Sequence, residues 1–259
     1  MSGPATVDLE VVFEAPLARI RIHRPERRNA MSRAMWLALA DAAHAIAARA
    51  DIRVALVQGS GGHFCAGADI SEFDAVYRDA AATRDYLAAI EAGLTALARL
   101  DRPTIALFEG SSIGGGLAIG LACDLRFAAE DAHIAAPPAK LGLLYGPVET
   151  RRLVELVGPS RAKDLLFSGR RVPTEEALAI GLVDRRVPAV SLHAEAEAYA
   201  RDLAGLSQAS IRGAKAMVEA TLSDEPPEAL RGLVEAAANG EDFREGRRAF
   251  GEKRRPRFG

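Results

Sequence analysis

The sequence predicts an α/β fold, on three observations. Short apolar or alternating runs of strand type alternate with helical patterns as far as residue 148, and helical patterns alone follow from Glu149 onward. Glycine-rich loops follow the strand-type runs ending at Gln58 and Phe108, where parallel layers gather their helix N-termini. With 259 residues, 49% of them hydrophobic, the chain can bury a sizeable core.

In chain order, the alternating runs "VDLEVVFE" and "LARIRIH", separated by Ala15 and Pro16, predict a β-hairpin. The segment "RPERRNAMSRAMWLALADAAHAIAARAD" predicts a loop, an N-cap at Ser32 and a long helix. "IRVALVQGS" reads as a buried strand ending at Gly59, and "GGHFCAGADISEF" as a glycine-punctuated loop. A helix is expected from about Ala82 to Leu100. The strand "TIALFEG", the glycine run, a further helix and the strand "DLRFAAE" come next. This alternation argues for parallel crossover units. Beyond Glu149, six segments from "ETRRLVELVG" to "PPEALRGLVEAAANG" read as helices, broken at Gly158, Gly169, Gly181 and Pro188.

A net charge of −2 leaves no field strong enough to make nucleic acid an expected partner. The basic stretch "REGRRAFGEKRRPRF" at the end reads, taken alone, as a solvated terminus. Cys65 and Cys123 have no partner at metal-ligand spacing, so buried thiols in a reduced cytoplasmic protein are expected, with no metal site. No apolar run reaches about 18 uncharged residues, and the N-terminus lacks the order of a signal peptide, so no membrane association is expected.

Gly114, Gly115 and Gly116 stand in a row where glycine costs a helix on the order of 1 kcal/mol per residue relative to alanine. A glycine run opening a helix leaves N–H groups aimed outward. Two such groups from two loops, "CAGAD" and "SSIGGG", would make an oxyanion hole. On the triplet alone the plainer account, close helix-to-strand packing, takes precedence. His63, His133, Asp69 and Asp124 read as loop-fixing or packing residues, Cys65 as a buried filler, and no Ser/His/Asp constellation is present.

"HFCAGADISEF", "PTIALFEGSSIGGGLAIGLACDLRFAAEDAHIAAPPAKLGLLYG" and "TRRLVELVGPSRAKDLLFSGRRVPTEEALAIGLVDRRVP", with the closing basic stretch, together resemble the crotonase, or enoyl-CoA hydratase/isomerase, superfamily. The resemblance runs in order over almost the whole chain. It implies an α/β crotonase-like spiral of β-β-α units over residues 1–190, binding acyl-CoA, and a helical C-terminal oligomerisation region over 191–259. It implies a homo-oligomer, a trimer or dimer of trimers. No cofactor is implied beyond coenzyme A, which enters as part of the substrate. The thioester carbonyl would be held by the N–H groups of Ala68 and Gly115. CoA would run beside Ala68, Asp69, Ile70 and Ser71, with Arg27 or Arg28 near its phosphates. Phe250 and Lys253 would cover the nucleotide, from the same or a neighbouring subunit.

The sequence departs from the family where hydratases carry two glutamates: those positions are Ala118 and Pro138, neither of which transfers a proton. A third position used for an acid in other branches is Gly146. Tyr145 and Glu149 remain as proton-handling candidates, the first also readable as a pocket wall, the second as a helix-capping acid. The frame "PAKLGLLY" is similar to the methylmalonyl-CoA decarboxylase branch. Three readings follow: an acyl-CoA lyase or isomerase working through an enolate, a decarboxylase-like lyase using Tyr145, and a non-catalytic CoA-binding or scaffolding homologue.

Overall fold

A computed structural model describes residues 8–222 and 227–259. The hairpin forms from β1 (Leu9–Glu14) and β2 (Leu17–Ile22), with Leu9 opposite Ile22 and Glu14 opposite Leu17. Its alternation turns Leu9, Val11, Ile20 and Ile22 into the core. Helix α1 (Arg33–Ala47) starts where Ser32 Oγ accepts the Met35 N–H, and buries Trp36, Leu39, Ala43 and Ile46. Strand β3 (Val54–Gly59) lies parallel to β2. A short helix α2 (Phe73–Val76) leads to α3 (Ala80–Ala98), capped by Asp79 on the Ala82 N–H at 2.8 Å.

The spiral then repeats. Strand β4 (Thr104–Phe108), β5 (Ser111–Ile113) and α4 (Gly115–Leu121) make one turn, and β6 (Leu125–Ala129) and β7 (His133–Ala135) open the next. Helix α5 (Pro147–Ser168) is bent at Gly158, whose φ of 78° interrupts it, so two helical pieces occur where two were expected. Strand β8 (Arg171–Val172), helix α6 (Thr174–Ala179) and strand β9 (Arg185–Val187) complete the α/β layers. The larger sheet runs β1-β2-β3-β4-β6-β9, parallel throughout except β1–β2, and the smaller runs β5-β7-β8. The turns β4–β5 and β6–β7 each contribute one strand to each sheet, and the segment after β3 meets the smaller sheet through a single bridge, Cys65 to Ser112.

Three strands escape the sequence reading: β5, β8 and β9, each of two or three residues. Strands that short show no alternation to detect. His133, read as packing or capping, lies exposed in β7.

Helix α7 (Leu192–Ala204) buries Leu192, Ala196, Ala200 and Ala204 against the sheet, alanine allowing the close approach. The helices that leave the sheet are α8 (Gln208–Leu222), α9 (Pro227–Asn239) and α10 (Glu241–Gly251). The expected solvated terminus is largely exposed, and more than half of that basic stretch belongs to α10. Its charges are paired at helical spacing, Arg244 with Glu241 at 2.6 Å and Arg248 with Glu245, so its positive residues support a helix. No helix among the described residues is long and apolar enough to cross a membrane.

Candidate active site

Two loops of adjacent spiral turns are laced together. Cys65 N–H donates to Ser111 O at 2.8 Å and Ile113 N–H to Cys65 O at 3.0 Å. On the other side of the 65–69 segment, Met31 N–H donates to Gly67 O at 2.7 Å and Asp69 N–H to Met31 O at 2.9 Å. In an extended chain alternate N–H groups face opposite ways, so with Asp69 turned to Met31 the Ala68 N–H points elsewhere. It has no hydrogen-bond partner among the described residues.

The glycine triplet finishes the arrangement. Gly114 has φ 54° and ψ −113°, a conformation that side chains resist. A Cβ on Gly116 would fall 2.2 Å from Cys65 O, so only glycine lets α4 start this close to the loop. Gly115 is the first residue of α4, where an N–H has no intrahelical acceptor. A Cβ on Gly115 would lie 3.5 Å from Ala68 N, and one on Gly67 would lie 3.6 Å from Gly115 N. Among the described residues neither the Ala68 nor the Gly115 N–H has an acceptor, and the two groups stand side by side. They open into a cavity of about 520 Å³.

The cavity wall is apolar and aromatic, with Trp36, Phe73, Tyr77, Tyr86, Ile90 and Leu143 among its residues. Ala118 and Pro138 are in it, so the two expected glutamate positions do face the site and carry no proton-transfer group. Glu149 lines it as a buried carboxylate, 9% exposed. Its Oε1 accepts the Gly146 N–H at 2.6 Å, and its Oε2 has no hydrogen-bond partner among the described residues. Capping and availability for chemistry thus coexist. Glu91 is also in the wall but is exposed at the rim.

Tyr145 lies beside Glu149, and its hydroxyl donates to the Gly114 carbonyl at 2.8 Å. Burial, and then the Glu149 charge, push its pKa well above the ordinary phenol value, so it stays protonated. Burial likewise pushes the Cys65 thiol up to about 12, and no thiolate forms beside the hole near neutral pH.

Asp69, next to Ala68, is an anchor. It pairs with Arg24 at 3.0 Å and Arg27 at 3.2 Å, and accepts from the Ser71 N–H at 3.0 Å and the Ser71 hydroxyl at 2.6 Å. Burial works to raise its pKa, but the hydrogen bonds from Ser71 and Arg24 outweigh it, and the net shift is downward. Arg27 also reaches Ser71 Oγ at 2.8 Å and leaves part of its guanidinium exposed at the rim. Ile70 is 63% exposed and lines the mouth. Arg28 is exposed in a left-handed turn outside the cavity wall.

Phe250 and Lys253 are not brought to the cavity. Phe250 is 88% exposed on α10 and lines a separate groove with Met217, Val234 and Phe243. The sequence reading missed Trp36, Tyr86 and Arg24 as residues of the site. Trp36 sits on the apolar stripe of α1, a pattern that marks core without distinguishing a cavity wall.

Comparison with known proteins identifies the family and the fold. A family model described as enoyl-CoA hydratase/isomerase matches residues 13–259. The chain belongs to the enoyl-CoA hydratase/isomerase family. A crotonyl-CoA hydratase of Syntrophomonas wolfei is 32% identical over 251 residues, 95% of each chain. A solved enoyl-CoA hydratase/isomerase family protein from Hyphomonas neptunium superposes with a TM-score of 0.94 at 39% identity, over 98% of each chain. An enoyl-CoA hydratase of Bacillus anthracis gives 0.90 at 30% identity, over 97% of this chain and 98% of that one. Membership in the enoyl-CoA hydratase/isomerase family makes this the crotonase fold.

Proposed function

We propose that the protein binds an acyl-CoA thioester with its carbonyl oxygen between the Ala68 and Gly115 N–H groups, and that Glu149 moves a proton on the acyl carbons. The observation that carries this reading is the pair of unpartnered N–H groups opening into an apolar cavity. A thioester enolate concentrates negative charge on oxygen, and two fixed donors stabilise it with little reorganisation. The Glu149 carboxylate takes a proton from the α-carbon, the electron pair passes to the thioester oxygen, and the same carboxyl returns the proton to the γ-carbon of a 3-enoyl chain. One base suffices for this double-bond migration. Hydration by two glutamates needs acids at Ala118 and Pro138, so migration is the favoured reaction of the family's set.

Arg27 and Arg28, on the loop beside the mouth, are proposed to meet the CoA phosphates. The exposed apolar residues Val218, Leu233, Val234, Phe243 and Phe250 favour a homo-oligomer, in which Phe250 and Lys253 would reach a neighbouring subunit's nucleotide site. The test is turnover by purified protein of 3-enoyl-CoA, crotonyl-CoA and methylmalonyl-CoA, followed by mass spectrometry, beside Gly115→Pro. Isomerisation lost in Gly115→Pro supports the reading. Decarboxylation alone transfers it to a lyase without a base, and binding with no turnover transfers it to a scaffold.

A further inference from the structure

We propose that Tyr145 is a positioning residue: its hydroxyl, bonded to the Gly114 carbonyl, locks and polarises the peptide whose N–H is the Gly115 oxyanion donor. This rests on the reading of the cavity as a thioester site. A peptide group is planar, with its C=O and N–H pointing in opposite directions. Whatever holds the Gly114 carbonyl therefore aims the Gly115 N–H.

That aim needs holding. The peptide lies between two glycines, the residues with the widest freedom to rotate it, and neither has a side chain to wedge it in place. On the carbonyl side two donors act, the Ala118 N–H at 2.9 Å and the Tyr145 hydroxyl at 2.8 Å. The first is the ordinary opening bond of α4. The second crosses from the 137–149 wall and ties the donor to the side where the reaction is set. A hydrogen bond accepted by an amide carbonyl also makes the N–H of the same amide a better donor, so the hydroxyl strengthens the oxyanion contact without touching substrate.

The phenol is suited to this task. It remains protonated, and its single proton is already on the Gly114 carbonyl. Handing that proton to a substrate carbon would release the peptide at the moment the enolate needs it. Glu149, with a free Oε2, has no such conflict.

The experiment compares wild type, Tyr145→Phe and protein carrying 3,5-difluorotyrosine at 145, a stronger donor. The probe is 2,4-hexadienoyl-CoA, whose conjugated thioester absorbs at longer wavelength as its carbonyl is polarised. Expected are a smaller red shift in Tyr145→Phe at unchanged probe affinity, a larger one in the fluorinated protein, and a kcat about 3- to 10-fold lower in Tyr145→Phe with KM within twofold. An unchanged red shift in Tyr145→Phe overturns the proposal, whether kcat falls or not, since a fall without the spectral change means that the hydroxyl meets the reacting atoms. A wild type that binds no probe, or binds it unshifted, instead overturns the thioester reading on which the proposal stands.

Discussion

The cavity has two unlike walls. On one side, residues 65–69 and 113–116 present backbone, and their geometry follows from sheet ladders and from glycines that leave room for carbonyls. On the other, residues 137–149 present side chains, and here the family's expected acids are replaced by Ala118 nearby and Pro138. The difference separates two tasks. On the proposed reading, charge stabilisation is built into the fold, whereas the choice of reaction depends on a few substitutable side chains.

The largest effect is expected from breaking the backbone wall. Gly115→Pro removes one donor N–H at the first position of α4 and sets a Cβ about 3.0 Å from the Trp36 ring, so the ring must shift slightly, and kcat/KM for the identified substrate should fall on the order of 10²–10³-fold. On the side-chain wall, Glu149→Gln keeps an acceptor for the Gly146 N–H but removes the base. Turnover should fall about 10²-fold or more while the thermal midpoint moves by only a few degrees. If turnover persists, Glu149 is only a cap, and the side-chain wall does not set the reaction through it.

A smaller effect is expected at the rim. Asp69→Asn keeps the turn to Ser71 but loses the charge shared by Arg24 and Arg27, at about 1–3 kcal/mol in a denaturant titration. The Asp69 carboxyl is held below its ordinary range in the folded chain, so its contribution is full above the unfolded value of about 4 and is lost as pH falls through the folded one. The gap between wild type and Asp69→Asn should therefore close in acid and be constant near neutrality. The smallest effect is chemical: Cys65, with a thiol raised to about 12, should resist iodoacetamide at pH 8 until denaturant is added.

The backbone wall was legible in the amino acids because it is written in glycine. A triplet that no helix wants, and a second small-residue loop after a neighbouring strand, point by themselves to close backbone approach. The side-chain wall was legible only as a set of candidates. Sequence places a hydroxyl at 145 and a carboxyl at 149, but which atom each one bonds depends on how α5 meets α4 in space. The same limit applies to α10. Its arginines show as a charge run, and the pairing with Glu241 and Glu245 that makes them helical needs the positions taken three apart. Phe250 lies on that helix away from the cavity, because adjacency in a family pattern does not specify adjacency within one chain.

The lacing of Cys65 to Ser111 and Ile113 has a consequence for how such a chain can change over generations. Because those hydrogen bonds use only main-chain atoms, they depend on the side chains of Cys65, Ser111 and Ile113 less than on the room that Gly116 leaves beside Cys65 O. If the cavity holds a thioester as proposed, the side chains around the acyl group can vary while the backbone donors are inherited intact. New chemistry at this site can thus arise by drift in one wall, with no interval in which the substrate has lost its grip.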